Sequence, residues 1–212
     1  MKILVIDDSY VQREAAKKAL FTEHDLTIAY TFAQARKLLT PQRNDEKVKI
    51  ALKAAGYSED FDAQDASVTD ERRAGYYEIA YAEPSEATYD YPEFDAVMTD
   101  LMMPGEKGGL SQKAEIYTGE PTPYGFAIAL LALKAGIPHI AIVSNGQADD
   151  GNHHNHPILM ACDALEGTII EGQLTASVGY NCPHMNEEKL PDVDKPYHIK
   201  DWATVLKRII ED

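Results

Sequence analysis

Residues 3–8 read Ile-Leu-Val-Ile-Asp7-Asp8, and residues 96–105 read Ala-Val-Met-Thr-Asp100-Leu-Met-Met-Pro104-Gly105. Each is a short apolar run that ends in carboxylate. A strand buried on both faces reads as a continuous apolar run of this kind. In open α/β sheets, sites form beyond the carboxyl ends of the strands. If the two strands are neighbours, Asp7, Asp8 and Asp100 meet at one point. Three carboxylates in one pocket repel one another unless a cation lies among them, and a hard, oxygen-preferring ion such as Mg²⁺ suits that donor set.

A third run, residues 139–146, reads His-Ile-Ala-Ile-Val-Ser144-Asn145-Gly and ends in a hydroxyl and an amide. Lys195-Pro196 stands near the C-terminus, ahead of an amphipathic segment. Asp-Asp, then Asp, then Ser, then Lys-Pro, in that order, resembles the receiver domain of two-component response regulators. Val-Ile-Asp-Asp-Ser, Asp-Leu-Met-Met-Pro-Gly, Ala-Gly-Ile-Pro and Lys-Pro-Tyr carry the likeness. The matching segments cover roughly half to three-fifths of the chain.

The resemblance implies an α/β fold: a doubly wound, five-stranded parallel sheet of flavodoxin-like receiver type with inserted helix and hairpin elements. Residues 1–212 would form a single receiver-like domain with insertions at about 41–92, 106–123 and 147–190. Val11, Ala15, Ala19 and Leu20 mark one helix face, and Ser9-Tyr-Val-Gln12 has the spacing of a capping box. Leu26, Ile28 and Tyr30 alternate as a second strand. Thr31 is placed to cap a helix that turns Ala35, Leu38 and Leu39 inward. In the first insertion, Val48, Leu52 and Ala55 suggest a helix stopped by Gly56. Residues 58–70 read as an acidic loop. Tyr76–Tyr81 reads as an added strand or hairpin arm, and the tyrosines of 76–91 read as a buried patch.

Phe94–Thr99 is the expected third strand, Tyr124–Ala135 an apolar helix closed by Gly136, and Ile140–Val143 the fourth strand. Ile158–Leu165 reads as a helix. Thr168–Ile170 and Leu174–Val178 read as a hairpin turning at Glu171-Gly172; which segment forms the fifth strand stays open. Trp202, Val205, Leu206, Ile209 and Ile210 have the spacing of a closing amphipathic helix.

The chain has 212 residues and a net charge of −15, from 20 basic and 35 acidic residues. Such a surface is repelled by nucleic acid and by anionic membranes. No apolar stretch approaches the roughly 20 residues that span a bilayer. No signal peptide is read at the start, so a cytoplasmic location is expected. The two cysteines, Cys162 and Cys182, do not make a disulfide framework.

What the resemblance implies chemically follows from charge. A carboxylate attacks a phosphoryl group only when the repulsion between two anions is offset, as a divalent cation touching both does. Asp100 would be the phosphoacceptor. Asp8 would be the direct Mg²⁺ ligand and Asp7 one acting through water, with Asp100 and the backbone carbonyl of Met102 completing the set. Ser144 and the ammonium of Lys195 would bind the phosphoryl oxygens. The donor would be a histidine kinase or phosphotransfer protein, and the output a contact with a downstream protein in a phosphorelay. Beyond self-catalysed phosphotransfer and dephosphorylation, no enzyme activity is expected.

Each residue also has a plainer reading. Asp7-Asp8 can be a solvated turn or a helix cap, Asp100 a turn residue before Pro104, Ser144 structural, and Lys195 a surface lysine with Lys189 as a rival. Receivers carry Tyr or Phe three residues before the lysine, where Lys195 would have Asp192. That departure motivates the alternative of a receiver-like interaction module that no longer switches. A phosphatase of the haloacid-dehalogenase kind would need a second Asp at the position of Ser9. His153, His154 and His156, with Cys182 and His184, offer transition-metal ligands, but they lack helical i, i+4 spacing, and a hydrophilic loop is the favoured reading.

Overall fold

The computed structural model describes residues 1–104, 119, 121–143, 168–170, 176–179, 185–188 and 197–211. The chain divides into two compact units, Met1–Leu39 with Glu93–Asp212, and Thr40–Pro92. The second coincides with the first expected insertion.

The larger unit is built on four parallel strands: β1 (Lys2–Ile6), β2 (Asp25–Ala29), β5 (Ala96–Thr99) and β8 (His139–Ile142), in the order β2-β1-β5-β8. Ile3 lies opposite Leu26 on one side and Ala96 on the other, and Ala96 lies opposite His139. Side chains alternate across a strand, and the apolar runs feed two layers. Leu4, Ile6, Val97, Ile140 and Ile142 pack with α2 (Phe32–Leu39) and α5 (Tyr124–Lys134). Ile3, Val5, Ala96, Met98 and Ala141 pack with α1 (Tyr10–Leu20) and α6 (Trp202–Glu211). This is why the strands read as unbroken apolar stretches. Beyond β8, β10 (Ala176–Gly179) pairs in parallel with Val178 opposite Ile140, and β9 (Thr168–Ile170) pairs antiparallel with β10. The expected antiparallel pairing is present, with the second strand at Ala176–Gly179 rather than Leu174–Val178, and the expected turn at Glu171-Gly172 lies outside the described residues. β11 (Met185–Glu188) and β12 (Tyr197–Lys200) form a separate antiparallel pair. Ile158–Leu165 lies outside the described residues.

Several local expectations hold. The Gln34 N–H donates to Thr31 Oγ1 (3.2 Å), capping α2. Gly136 adopts φ 78° just past α5, a left-handed conformation that suits glycine at a helix end. The capping box does not form: Ser9 makes no side-chain cap bond, and the Gln12 side chain is used elsewhere, as described below.

Residues 105–118, most of the second expected insertion, lie outside the description; β6 (Met103–Pro104) and β7 (Pro121–Thr122) pair antiparallel on either side of it. α5 then begins against the chain that follows β5. A Cβ at Gly125 would lie 2.3 Å from the Asp100 carbonyl oxygen and 2.7 Å from Leu101 Cα. Glycine to alanine inside a helix ordinarily stabilises by about 1 kcal/mol. Here both obstacles are backbone, so the clash wins. Gly125→Ala is expected to destabilise by about 1–3 kcal/mol, seen as a lower denaturant midpoint. An unchanged or higher midpoint would show that α5 moves freely.

In the smaller unit, β3 (Gln42–Arg43) pairs antiparallel with β4 (Tyr89–Asp90). α3 (Asp45–Ala54) starts at Asn44, whose side chain accepts from the Glu46 and Lys47 N–H groups, and ends before Gly56 at φ 86°. Residues 76–80, expected as a strand, are helical: α4 spans Asp70–Ala80. Thr69 caps it through the Arg72 N–H, and Asp70-Glu71 suit the positive end of the helix dipole. Helical spacing also sets the Tyr77 and Tyr81 rings 5.7 Å apart. The buried tyrosine patch is corrected too, since Tyr77, Tyr81 and Tyr91 are exposed. Tyr76 instead packs against Tyr57 and Phe61.

Candidate functional site

The carboxyl ends of β1 and β5 bring three acids together. The Asp7 N–H donates to the Ala29 carbonyl (3.1 Å) and the Asp100 N–H to the Ile6 carbonyl (2.7 Å), so the sheet ladders carry both residues one step past their strands. One carboxylate oxygen from each of Asp7, Asp8 and Asp100 lies within 4.8 Å of the others. Asp7 is buried, Asp8 exposed and Asp100 between them, with a side chain 15% exposed.

The turn from β1 into α1 is held by its own polar groups. Asp7 Oδ1 accepts the Ser9 N–H (2.9 Å). The Arg13 guanidinium donates to the carbonyls of Asp7 (2.8 Å) and Asp8 (2.5 Å) and lies 5.3 Å from the Tyr30 ring centroid. After β5, Asp100 Oδ1 accepts the Leu101 N–H (2.9 Å), and Thr99 Oγ1 donates to the Asp100 carbonyl (3.0 Å).

A lysine completes the cluster. Lys200 Nζ lies 2.5 Å from Asp7 Oδ2 and 2.9 Å from Asp100 Oδ1, with its side chain 1% exposed. It ends β12, with Asp201 between it and α6. Its N–H donates to Gln12 Oε1 (2.8 Å), and its ammonium lies 5.4 Å from the Trp202 ring centroid. Among the described residues, the Leu101 N–H and the Lys200 ammonium meet the Asp100 carboxylate at the same oxygen, Oδ1.

Charge at the site is unbalanced. Three carboxylates and one ammonium sum to −2 when all are ionised. Burial pushes the Asp100 carboxyl up, to about 7; Lys200 opposes the rise, and Asp7 and Asp8 add to it. Asp8 is also raised, first by burial and then by Asp7. For Lys200, burial favours the neutral amine, but attraction from Asp100 and Asp7 outweighs it and the net direction is upward. The amine thus stays charged and Asp100 is the strained member. The donors are all hard oxygens, and the residual charge stays negative even when the Arg13 guanidinium beside Asp8 is counted, which favours a cation. Asp7, Asp8 and Asp100 together offer the oxygen donors for a metal ion, and the Lys200 ammonium is paired with Asp7 and Asp100.

Asp7, Asp8 and Asp100 are thus the sequence-derived residues that the structure unites. Met102 stands two residues after Asp100, half-buried against the α2 and α5 layer. Ser144, Lys195, Lys189 and Asp192 lie outside the described residues, as do His153, His154, His156, His184 and both cysteines. His139 Nδ1 is 2.7 Å from the Ile209 carbonyl and so ties the start of β8 to α6. Lys200 and Gln12 escaped the sequence reading. The signal for Lys200 was its place at the end of a short strand-like run immediately before an amphipathic helix. The signal for Gln12 was a lone amide on an otherwise apolar helix face.

Among the described residues, no helix is long and apolar enough to cross a membrane. No family profile, curated protein or solved structure matches this chain.

Proposed function

We propose that this chain is a phosphoacceptor module of the receiver kind, taking a phosphoryl group on Asp100. One observation carries the reading: Asp7, Asp8 and Asp100 converge beyond parallel strand ends with a buried lysine bridging two of them. The strand order β2-β1-β5-β8, with helices packed on both sides, supports a flavodoxin-like, doubly wound sheet in which β10 supplies the fifth strand.

The lysine role moves from Lys195 to Lys200. That reassignment also repairs the departure at Asp192, because Tyr197 stands three residues before Lys200. Ser144 follows Val143, whose N–H donates to the Thr99 carbonyl (2.8 Å), and it keeps its proposed place as the hydroxyl partner of the phosphoryl group.

A carboxylate oxygen of Asp100 attacks the phosphorus of a phosphohistidine as the phosphorus–nitrogen bond breaks, and the leaving imidazole takes up a proton from solvent. The Lys200 ammonium stays on Oδ1 and is placed to meet the arriving negative charge. A bound Mg²⁺, held by Asp8 and Asp100, with Asp7 and the Met102 carbonyl supporting it, would supply charge neutralisation and in-line alignment. Partners in this reading are a histidine kinase or phosphotransfer protein and a downstream protein target.

Intact mass measured after incubation with acetyl phosphate and Mg²⁺ tests the reading. Wild type is expected to gain one phosphoryl group and Asp100→Asn none. Identical masses, with no shift in melting temperature on adding beryllium fluoride, would leave the non-switching interaction module as the better description. Mg²⁺ titration tests the ligand assignment. Both Asp7 oxygens already hold protein donors, so Asp7→Ala is expected to weaken Mg²⁺ roughly 10–100-fold, as loss of an outer partner does. Asp8→Ala is expected to weaken it further; equal affinities for the two variants would contradict the assignment.

A further inference from the structure

Lys200 is delivered to the acids by an unusual support. β12 pairs antiparallel with β11, and this pair is separate from the sheet that carries Asp7 and Asp100. A lysine on a strand of the parallel sheet would have its N–H fixed by a neighbouring strand's carbonyl. The Lys200 N–H instead donates to the side-chain oxygen of Gln12, across 188 residues of sequence.

The same residue holds the chain a second time. Trp202 Nε1 donates to the Gln12 carbonyl at 3.0 Å. Both bonds are buried, and Gln12 is 3% exposed. Gln12 lies on the helix face formed by Ala16 and Leu20, where α1 packs with Trp202, Leu206 and Ile209. An apolar side chain would satisfy packing there. A buried amide is retained at a desolvation cost unless its bonds are made, and here it grips residues 200 and 202, on either side of the strand-to-helix junction.

We infer that Gln12 is a positioning residue for Lys200: its Oε1 stands in for the missing sheet carbonyl and fixes the ammonium on Asp7 and Asp100. This rests on the reading that Lys200 serves the phosphoacceptor, but the grip itself can be measured without phosphorylation.

Amine labelling of the folded chain by a water-soluble acylating reagent, read lysine by lysine by mass spectrometry, is the test. Gln12→Met keeps the length of the side chain and removes the carbonyl acceptor. Lys200 in Q12M is expected to label roughly tenfold faster than in wild type, the loosening that loss of one buried hydrogen bond allows, while exposed lysines such as Lys2 and Lys49 are unchanged. Leu206→Ala supplies the control, a core truncation on α6 that leaves both Gln12 bonds in place. Gln12→Glu retains an oxygen acceptor and is expected to keep Lys200 protected. Where Q12M does not fold, Gln12→Asn, which draws the same amide back by one methylene, replaces it. Lys200 labelling as slow in Q12M as in wild type, or equally fast in Q12M and L206A at matched melting temperatures, would overturn the inference.

Phosphorylation separates the two claims. Faster labelling of Lys200 together with slower phosphorylation of Asp100 by acetyl phosphate supports both. Faster labelling in a protein that wild type or variant never phosphorylates sinks the phosphoacceptor reading and leaves Gln12's hold on Lys200 established.

Discussion

Replacing Lys200 by methionine is expected to cost the metal-free protein about 3–5 kcal/mol at neutral pH, the loss typical of leaving a buried ion pair with one partner missing. Methionine fills most of the same volume, so packing is nearly kept and the effect isolates charge. Asp7, whose side chain is 1% exposed, loses the ammonium at 2.5 Å, and Asp100 loses it at 2.9 Å. Asp100 can escape by taking up a proton, since burial already pushes it upward. The cost should therefore be smaller at pH 5 than at pH 8. Urea denaturation of wild type and Lys200→Met at both values measures this, and added Mg²⁺ should recover part of the loss, because a cation can replace the missing positive charge. A change below about 1 kcal/mol at pH 8, the range of an exposed pair, would mean that Lys200 does not neutralise the acids. Removing both charges of the Asp7 pair, with Asp7→Asn added to Lys200→Met, should be less harmful than the lysine change alone. The net worth of a buried pair is small even when its disruption is expensive.

How far the chain could be read in advance depended on how its elements are stabilised. β1, β5 and β8 are buried on both faces, so their sequences carry an unbroken apolar signal and their polar ends stand out. The acid cluster was legible for that reason. The strand ends are fixed by ladders, and a residue one step beyond a strand has little freedom in where it points. Lys200 was harder. Its strand is four residues long and pairs with β11 rather than the parallel sheet, so no apolar run announces it, and Lys195-Pro196 offered a more familiar signature. Gln12 was misread because one local rule, the capping box, competed with a contact 188 residues away that no local pattern can show. α4 was misread for a different reason. Tyr-Tyr-Glu-Ile-Ala-Tyr has strand-like propensity, yet Thr69 and the two acids after it start a helix, and ring contacts at Tyr76 and Tyr77 reward it. Capping and packing overrode propensity there.

Stability of the metal-free protein is expected to fall as pH rises from about 4 to about 7, the interval between the ordinary and the folded pKa of Asp100. The sign follows from proton binding. The Asp100 carboxyl is raised in the fold from the ordinary 3.8 to about 7. Between these values the folded state holds the proton more often than the unfolded chain does. Its contribution is fully present below the lower value, is lost through the window, and is flat above it. Asp8 is shifted in the same direction and adds to the slope. Lys200 is raised from 10.5, so its titration lies above the window and leaves the slope unchanged. Asp100→Asn removes the main titrating group and also relieves Asp8. The gap in unfolding free energy between the variant and wild type should therefore widen in the variant's favour across the window, by on the order of 2–4 kcal/mol. Chemical denaturation at intervals from pH 4 to pH 8, with chelator present, measures it. Mg²⁺ should flatten the wild-type curve and leave the variant's nearly unmoved, since a cation among the acids favours the ionised carboxylate that burial disfavours. Parallel curves for the two proteins without metal would mean that Asp100 is not held against its own charge. In that case the pocket would lack the electrostatic tension that binding a cation, or accepting a phosphoryl group, is proposed to relieve.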